Sequence, residues 1–122
     1  MEQNISEKVE SGLRLLESYD FTGFRAMCTS GCTLWENDGN GEQTIEDRMV
    51  QFKSFVAGVD SLRYEVLRRF EKADEVLQQH VLHVALADGT HNQVNAAVYF
   101  RFADGLIDRI EEYGYAVPAD PA

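Results

Sequence analysis

Residues 76 to 115 read VLQQHVLHVALADGTHNQVNAAVYFRFADGLIDRIEEYGY, and how this stretch is read decides the fold. Two short turn signals, Ala87-Asp88-Gly89 and Ala103-Asp104-Gly105, divide it into three runs rich in Val, Leu, Phe, Tyr and Ile. Such residues suit a pleated, half-buried surface. Each turn sets a glycine after an aspartate, where a hairpin needs a positive φ angle that other residues adopt only at a cost. The stretch predicts a three-stranded antiparallel meander.

Upstream of it, Leu62, Tyr64, Val66 and Phe70 alternate with Arg63, Glu65 and Arg69, which predicts a further strand ending at Glu71-Lys72-Ala73-Asp74. Before that strand, Thr44 with Asp47 three residues later resembles a capping pair and opens a helix through about Ala57. Ile45, Met49, Phe52 and Val56 form its apolar stripe, and Gly58 is expected to stop it in the left-handed region. The polar run Asn37 to Glu42 demands a loop, and Cys32 to Glu36 alternates as a short strand before it. Asp20 is expected to cap a short helix carrying Phe21, Phe24, Met27 and Cys28, ended by Ser30-Gly31. Residues 3 to 18 place Ile5, Val9, Gly12, Leu13 and Leu16 on one face of an amphipathic helix. Residues 116 to 122, with two prolines and no periodicity, are expected to be an irregular tail. The order of elements predicts an α+β domain over residues 1–122, its three N-terminal helices packed on one side of a curved, mainly antiparallel sheet.

A chain of 122 residues buries roughly two-thirds of its unfolded surface and folds without staples. Its net charge of −10 argues against nucleic acid and against an anionic membrane surface, both of which select for clustered Lys and Arg. No apolar run reaches the roughly 18 residues of a membrane span, and the first ten residues, MEQNISEKVE, are too charged for a signal peptide. A cytoplasmic protein is therefore expected, and Cys28 and Cys32 read as buried free thiols, with no metal-ligand spacing around them.

Three segments, Tyr19-Asp20-Phe21-Thr22-Gly23-Phe24, Cys32 to Asp38, and Tyr99-Phe100-Arg101-Phe102-Ala103-Asp104-Gly105-Leu106-Ile107, resemble the nuclear transport factor 2-like superfamily in its SnoaL-like and ketosteroid-isomerase-like branches. The resemblance implies a cone-shaped domain whose curved sheet and helices enclose an apolar pocket. It places Glu36 where ketosteroid isomerases keep a general base, and Glu112 where SnoaL-like cyclases and limonene-epoxide-hydrolase-like enzymes keep a catalytic Asp. The steroid isomerases' oxyanion tyrosine and protonated aspartate fall on Gly12 and Val98, which speaks against steroid isomerisation. The epoxide hydrolases' Arg and first Asp fall on Gln79 and Val81, and the SnoaL-like strand histidine falls on Val98.

With Glu112 inside, strand alternation sets Asp108, Ile110 and Gly114 on its face, and register through the Gly89 turn adds Gln79, Val81, His83 and Ala85, with Ala96, Val98 and Phe100. The expected catalytic set is Glu112, Glu36 and His83. Gln79, Leu34, Val81, Val98, Phe100 and Ile110 are expected to contact a small apolar ligand. A carboxylate among apolar side chains is pushed toward a neutral-range pKa, where it can take and return a proton without metal or cofactor. Each residue also has a structural reading: Glu112 paired with Arg101 or Arg109, Glu36 a solvated turn residue, His83 a hydrogen-bonded core histidine. Gln78, His80, Ala97, Tyr99, Arg101, Arg109, Glu111 and Tyr113 are assigned to the outer face, which suits a homodimer. Two classes follow: a cofactor-independent isomerase, cyclase, dehydratase or hydrolase acting on a small apolar carbonyl or hydroxyl compound, or a ligand-binding or assembly module.

Overall fold

The computed structural model describes residues 3–117. Helix α1 (Ile5–Glu17) opens with a full capping box, in which Asn4 accepts from the Glu7 amide and the Glu7 side chain returns to Asn4. It buries Val9, Gly12, Leu13 and Leu16. Gly12 is needed for space, because a Cβ there would lie 3.2 Å from the Phe24 ring. Helix α2 (Phe21–Ala26) is capped by Asp20, whose carboxylate accepts from the Gly23 amide. It ends at Met27, earlier than the sequence suggests. Ser30-Gly31 lies inside strand β1 (Cys28–Glu36), where the pairing shifts between Cys28 and Thr33. A bulge, and no helix stop, is what that Ser-Gly pair serves.

The polar loop gives way to a three-residue strand, β2 (Glu42–Thr44), which leads into α3 (Ile45–Val56). Thr44 caps α3 by accepting from the Asp47 amide, and the expected stripe Ile45, Met49, Phe52 and Val56 is buried. Gly58 does not take the left-handed conformation expected of it; α3 closes through Ala57 with an ordinary right-handed backbone. Strands β3 (Val59–Lys72), β4 (Glu75–Leu86), β5 (His91–Ala103) and β6 (Leu106–Val117) complete the chain. Of the expected irregular tail, Ala116 and Val117 are strand, paired with Val94 and Gln93. The remaining tail residues lie outside those described.

The six strands form one open sheet in the order β2-β1-β6-β5-β4-β3, antiparallel except where β1 runs parallel to β6. The result is an α+β domain with three helices against a mixed, unclosed sheet. Its core joins Val9, Leu13 and Phe24 of the helices to Leu34, Val98 and Ile107 of the sheet. The edge strand β3 is bulged twice, between Val59 and Ser61 and between Val66 and Arg68. Cys28 and Cys32 are buried free thiols, and no described helix is long and apolar enough to cross a membrane.

The two Asp-Gly turns differ, and that difference sets the faces. At the second, Ala103 pairs with Leu106, so only Asp104 and Gly105 form the loop, both with positive φ (52° and 79°). At the first, the Leu86 amide donates to the Thr90 carbonyl and the loop has three residues, with only Gly89 left-handed. Ala85 therefore stands opposite His91, Gln78 opposite Val98 and His80 opposite Ala96. Relative to the sequence reading, β4 is turned by one residue, and every side chain on it changes face.

Replacing Gly105 by Ala is expected to destabilise the domain by about 1–2 kcal/mol, the cost of a left-handed L-residue. The Lys8 Nζ now 2.8 Å from where the added Cβ would sit must also move. Gly58→Ala, with open space around it and no left-handed φ, is expected to stabilise by about 0.4–1 kcal/mol. Urea unfolding of the two variants measures both.

Candidate functional site

Glu112 stands in the middle of β6, with Glu36 beside it on the parallel β1 and Val98 on the antiparallel β5. The same register row continues through Gln78 on β4 to Arg69 on β3. Paired residues share a face, so this row runs across the concave side of the sheet beneath the helices. Asn37 secures its end: its side-chain amide exchanges two hydrogen bonds with the Gly114 backbone, at 2.9 and 3.1 Å.

Val9, Leu13 and Leu16 of α1, Phe24 of α2 and Met49 and Phe52 of α3 roof a cavity of about 60 Å³ over this row. That is room for roughly four waters, or one small ring. Leu34, Val98, Phe100 and Ile110 lie along its floor with Ile107, and its polar lining is Glu112, His80 and Arg48. Burial in this apolar enclosure, reinforced by the charge and hydrogen bond of Glu36, pushes the Glu112 carboxyl up from 4.5 to about 7. Arg48 opposes that shift, its guanidinium lying 3.6 Å from Glu36 Oε1. Two carboxyl groups side by side cannot both hold full charge at low cost, so the more buried one keeps its proton to higher pH.

The remaining candidates divide by face. The one-residue turn of β4 removes His83, Gln79 and Val81 from the cavity. His83 Nε2 lies 2.7 Å from Glu65 Oε1, and Gln79 bonds Arg68. His83 is thus a partner of Glu65 on the outer side, neither joined to the carboxyl pair nor lining its pocket. Asp108 also leaves the inner face, because a register shift in the β5–β6 ladder lets it accept from Thr29 and Arg101.

In place of Gln79 and His83 the cavity side receives Gln78 and His80, both buried. Arg69 Nε donates to Gln78 Oε1 at 2.9 Å, and Gln78 Nε2 lies 2.8 Å from His80 Nδ1. Arg69 is held in turn by Glu10 of α1 at 3.1 Å. The Tyr64 ring meets the His80 imidazole edge-on, centroids 5.1 Å apart. Burial, with the charge of Arg69, pushes His80 down to about 4, so the ring is neutral at physiological pH. The sequence reading assigns this pair to the outer face and the structure reverses it; alternation could not correct the error, since β4 carries apolar residues on both faces (Val76, Leu82 and Val84 against Leu77, Val81 and Ala85). A signal existed in the three-residue length of Ala87-Asp88-Gly89 between Leu86 and Thr90. Arg48 was missed because one arginine on the polar flank of an amphipathic helix looks like any other.

Among the described residues, no group of three His, Cys, Asp or Glu side chains is placed to hold a metal ion. The chemistry open to the site is transfer of a proton by a carboxyl group with a neutral-range pKa, in a mostly apolar cavity.

Solved structures of the same architecture share little sequence with this chain. An LEH-like epoxide hydrolase from M. tuberculosis superposes with a TM-score of 0.72 at 18% identity, over 88% of this chain and 79% of that one. A Shewanella putrefaciens protein, provisionally assigned as a SnoaL-like polyketide cyclase, gives 0.79 at 8% identity over 93% and 91%. A Catenulispora acidiphila protein with a ketosteroid isomerase-like fold, in complex with trimethylamine, gives 0.74 at 13% over 86% and 82%. At these identities the likeness concerns the fold. No curated protein matches the chain. The sequence profile of the SnoaL-like domain, however, matches residues 9–110, so the chain belongs to the SnoaL-like domain family.

Proposed function

We propose that this protein is a cofactor-independent acid/base enzyme that moves a proton on a small, mostly apolar carbonyl compound, with Glu112 as the group that takes and returns it. The supporting observation is the Glu112 carboxyl, half-buried on the floor of a mostly apolar cavity and brought to about 7 by desolvation there and by Glu36. Near neutral pH such a group is divided between base and acid, the balance that proton transfer in both directions requires. As carboxylate it removes a proton from the carbon beside the carbonyl, and the C–H electron pair moves into an enolate. As carboxylic acid it returns the proton to that carbon or, where the carbonyl compound is β,γ-unsaturated and the enolate extends to a dienolate, delivers it to the γ-carbon, so that the double bond shifts into conjugation and the enzyme is restored. Glu36 assists by disfavouring a second negative charge, and Arg48 limits how far. Family membership and the solved structures of cyclase-like and epoxide-hydrolase-like proteins agree with small-molecule chemistry of this kind.

The same cavity, without proton transfer, would make a retaining module, and one assay separates the two. Exchange of the α-protons of cyclohexanone in D2O, followed by NMR, is expected to be accelerated by the protein and to rise with pH through about 7 as Glu112 loses its proton. Glu112→Gln is expected to lower the rate about 10²–10⁴-fold. Binding of the ketone with no exchange by the native protein sinks the enzymatic reading.

Stability carries the opposite pH signature. Folded Glu112 keeps its proton to about pH 7, whereas the unfolded chain releases it near 4.5. The folded state therefore holds more protons in that interval, and its stability falls as pH rises. Glu36, Asp38, Arg48 and Tyr64 are the charged or titratable groups around it. Thermal unfolding is expected to show this slope between about pH 4.5 and 7, and Glu112→Gln to flatten it.

A second copy of the chain is the proposed cover of the sheet's outer face. Phe70, Leu77, Tyr113 and Tyr115 are 65, 49, 58 and 67% exposed there, an apolar area of the kind that marks interaction sites. Arg68 and Arg101 alternate with Glu75 and Glu111 around it, so a twofold arrangement can set opposite charges against each other. Sedimentation equilibrium is expected to give twice the 13.8 kDa chain mass, and Tyr113→Arg a single chain. Native protein sedimenting as one chain rules the pairing out.

A further inference from the structure

We infer that His80 is the donor that binds the ligand's carbonyl oxygen, fixed as the Nε2–H tautomer by a chain of hydrogen bonds running from Glu10 through Arg69 and Gln78. The inference deepens the reading above by naming what holds the oxygen while Glu112 handles the carbon-bound proton.

The direction of the chain follows from which groups can only give. An arginine has no acceptor, so the Gln78 atom 2.9 Å from Arg69 Nε is the carbonyl oxygen. That leaves the Gln78 NH2 facing His80, at 2.8 Å from Nδ1. An NH2 group donates, so Nδ1 accepts, and the single proton of a neutral imidazole sits on Nε2. Arg69 cannot turn away freely, since its Nη2 is tied to Glu10 Oε1 at 3.1 Å. Glu10 is in turn braced by Arg14, whose Nε donates to Glu10 Oε2 at 2.8 Å.

Nε2 is left to serve a ligand. It makes no hydrogen bond to any described residue, and no side-chain polar atom among them is both fully enclosed and unpartnered. His80 lines the same cavity as Glu112. Between them on the sheet stand Ala96, opposite His80, and Gly114, opposite Ala96 and two residues beyond Glu112. A Cβ added at Gly114 would already lie 3.5 Å from Glu112 Oε2, so a larger side chain there would crowd the carboxyl group. A neutral donor aimed at an acceptor oxygen strengthens its bond as that oxygen gains charge, without having to part with its own proton. Low basicity keeps the imidazole in this role: burial and Arg69 hold it far from protonation at neutral pH. An ammonium ligand offers Nε2–H no acceptor, whereas a ketone, aldehyde or ester does.

Two measurements at pH 8 test this, where Glu112 has lost its proton and offers no competing donor. Long-range ¹H–¹⁵N spectra of the native protein are expected to show His80 with a protonated Nε2 and a bare Nδ1. Titration with cyclohexanone and with methylenecyclohexane, which lacks the oxygen, is expected to favour the ketone by about 10-fold, the worth of one buried hydrogen bond. Gln78→Glu presents an acceptor to Nδ1, and is expected to move the proton to Nδ1 and reduce the preference to less than about 2-fold. Gln78→Leu, which removes the relay without adding charge, is expected to yield mixed tautomers and an intermediate preference. A native His80 protonated on Nδ1, or native protein that binds the two probes equally, overturns the inference. Neither readout depends on turnover: absent proton exchange with an intact tautomer and ketone preference refutes the enzymatic reading alone.

Discussion

Glu112 lies between a parallel neighbour, β1, and an antiparallel one, β5, and the parallel pairing is what brings a second carboxyl group alongside it. Taking a carboxylate out of water is expensive, and a like charge at the next position makes it more so. The structure meets that cost by leaving the proton on Glu112 up to about neutral pH and by bringing Arg48 of α3 to Glu36. The cap of α3 at Thr44, the short strand β2 before it and the Asn37 bridge to Gly114 all serve the same corner. Removing any of them would loosen the pairing on which the carboxyl chemistry depends.

Much of this was legible in the chain. Capping residues Asp20 and Thr44 announce their helices, because a side-chain acceptor at that spacing has few other uses. The apolar stripes of α1 and α3 and the two-residue turn at Asp104-Gly105 follow from periodicity and backbone sterics. That turn alone would set Glu112 opposite Ala97; the register shift at Asp108 brings Glu112 opposite Val98 and Ile110 opposite Phe100, on the face that the family resemblance implies. Long-range register was harder to see. One residue of loop length at Ala87-Asp88-Gly89 exchanged Gln79 and His83 for Gln78 and His80, and both alternatives are glutamine and histidine two or four residues apart on an amphipathic strand. The bulge in β1 and the entry of Arg48 depend on tertiary packing, which local pattern does not encode.

The inner row of the sheet illustrates how polar groups can be kept in a small core. From Glu36 to Arg69 it crosses five strands with only Val98 as an apolar member. Each polar group has a neighbour suited to it, and no fully enclosed side-chain polar atom among the described residues lacks a partner. A row satisfied in this way also specifies register: sliding β4 by one position would strand Arg69 without Gln78 and set Gln79 against the core. The pairing that misleads local pattern reading is thus held by the buried hydrogen bonds themselves.

An open sheet has two free edges, and the long one here is β3, fourteen residues of extended backbone. Unpaired strands of that length invite neighbouring molecules to add on by backbone hydrogen bonding and so to grow without limit. The two bulges in β3 break its straight line, and Asp60, Arg63, Glu65, Arg68, Glu71 and Lys72 line it with charge. At the opposite end β2 is only three residues long and is clamped by Glu42 to Arg109. Irregularities that look like local flaws in the ladder therefore have a bearing on solubility: they spoil both edges as templates for a fibre.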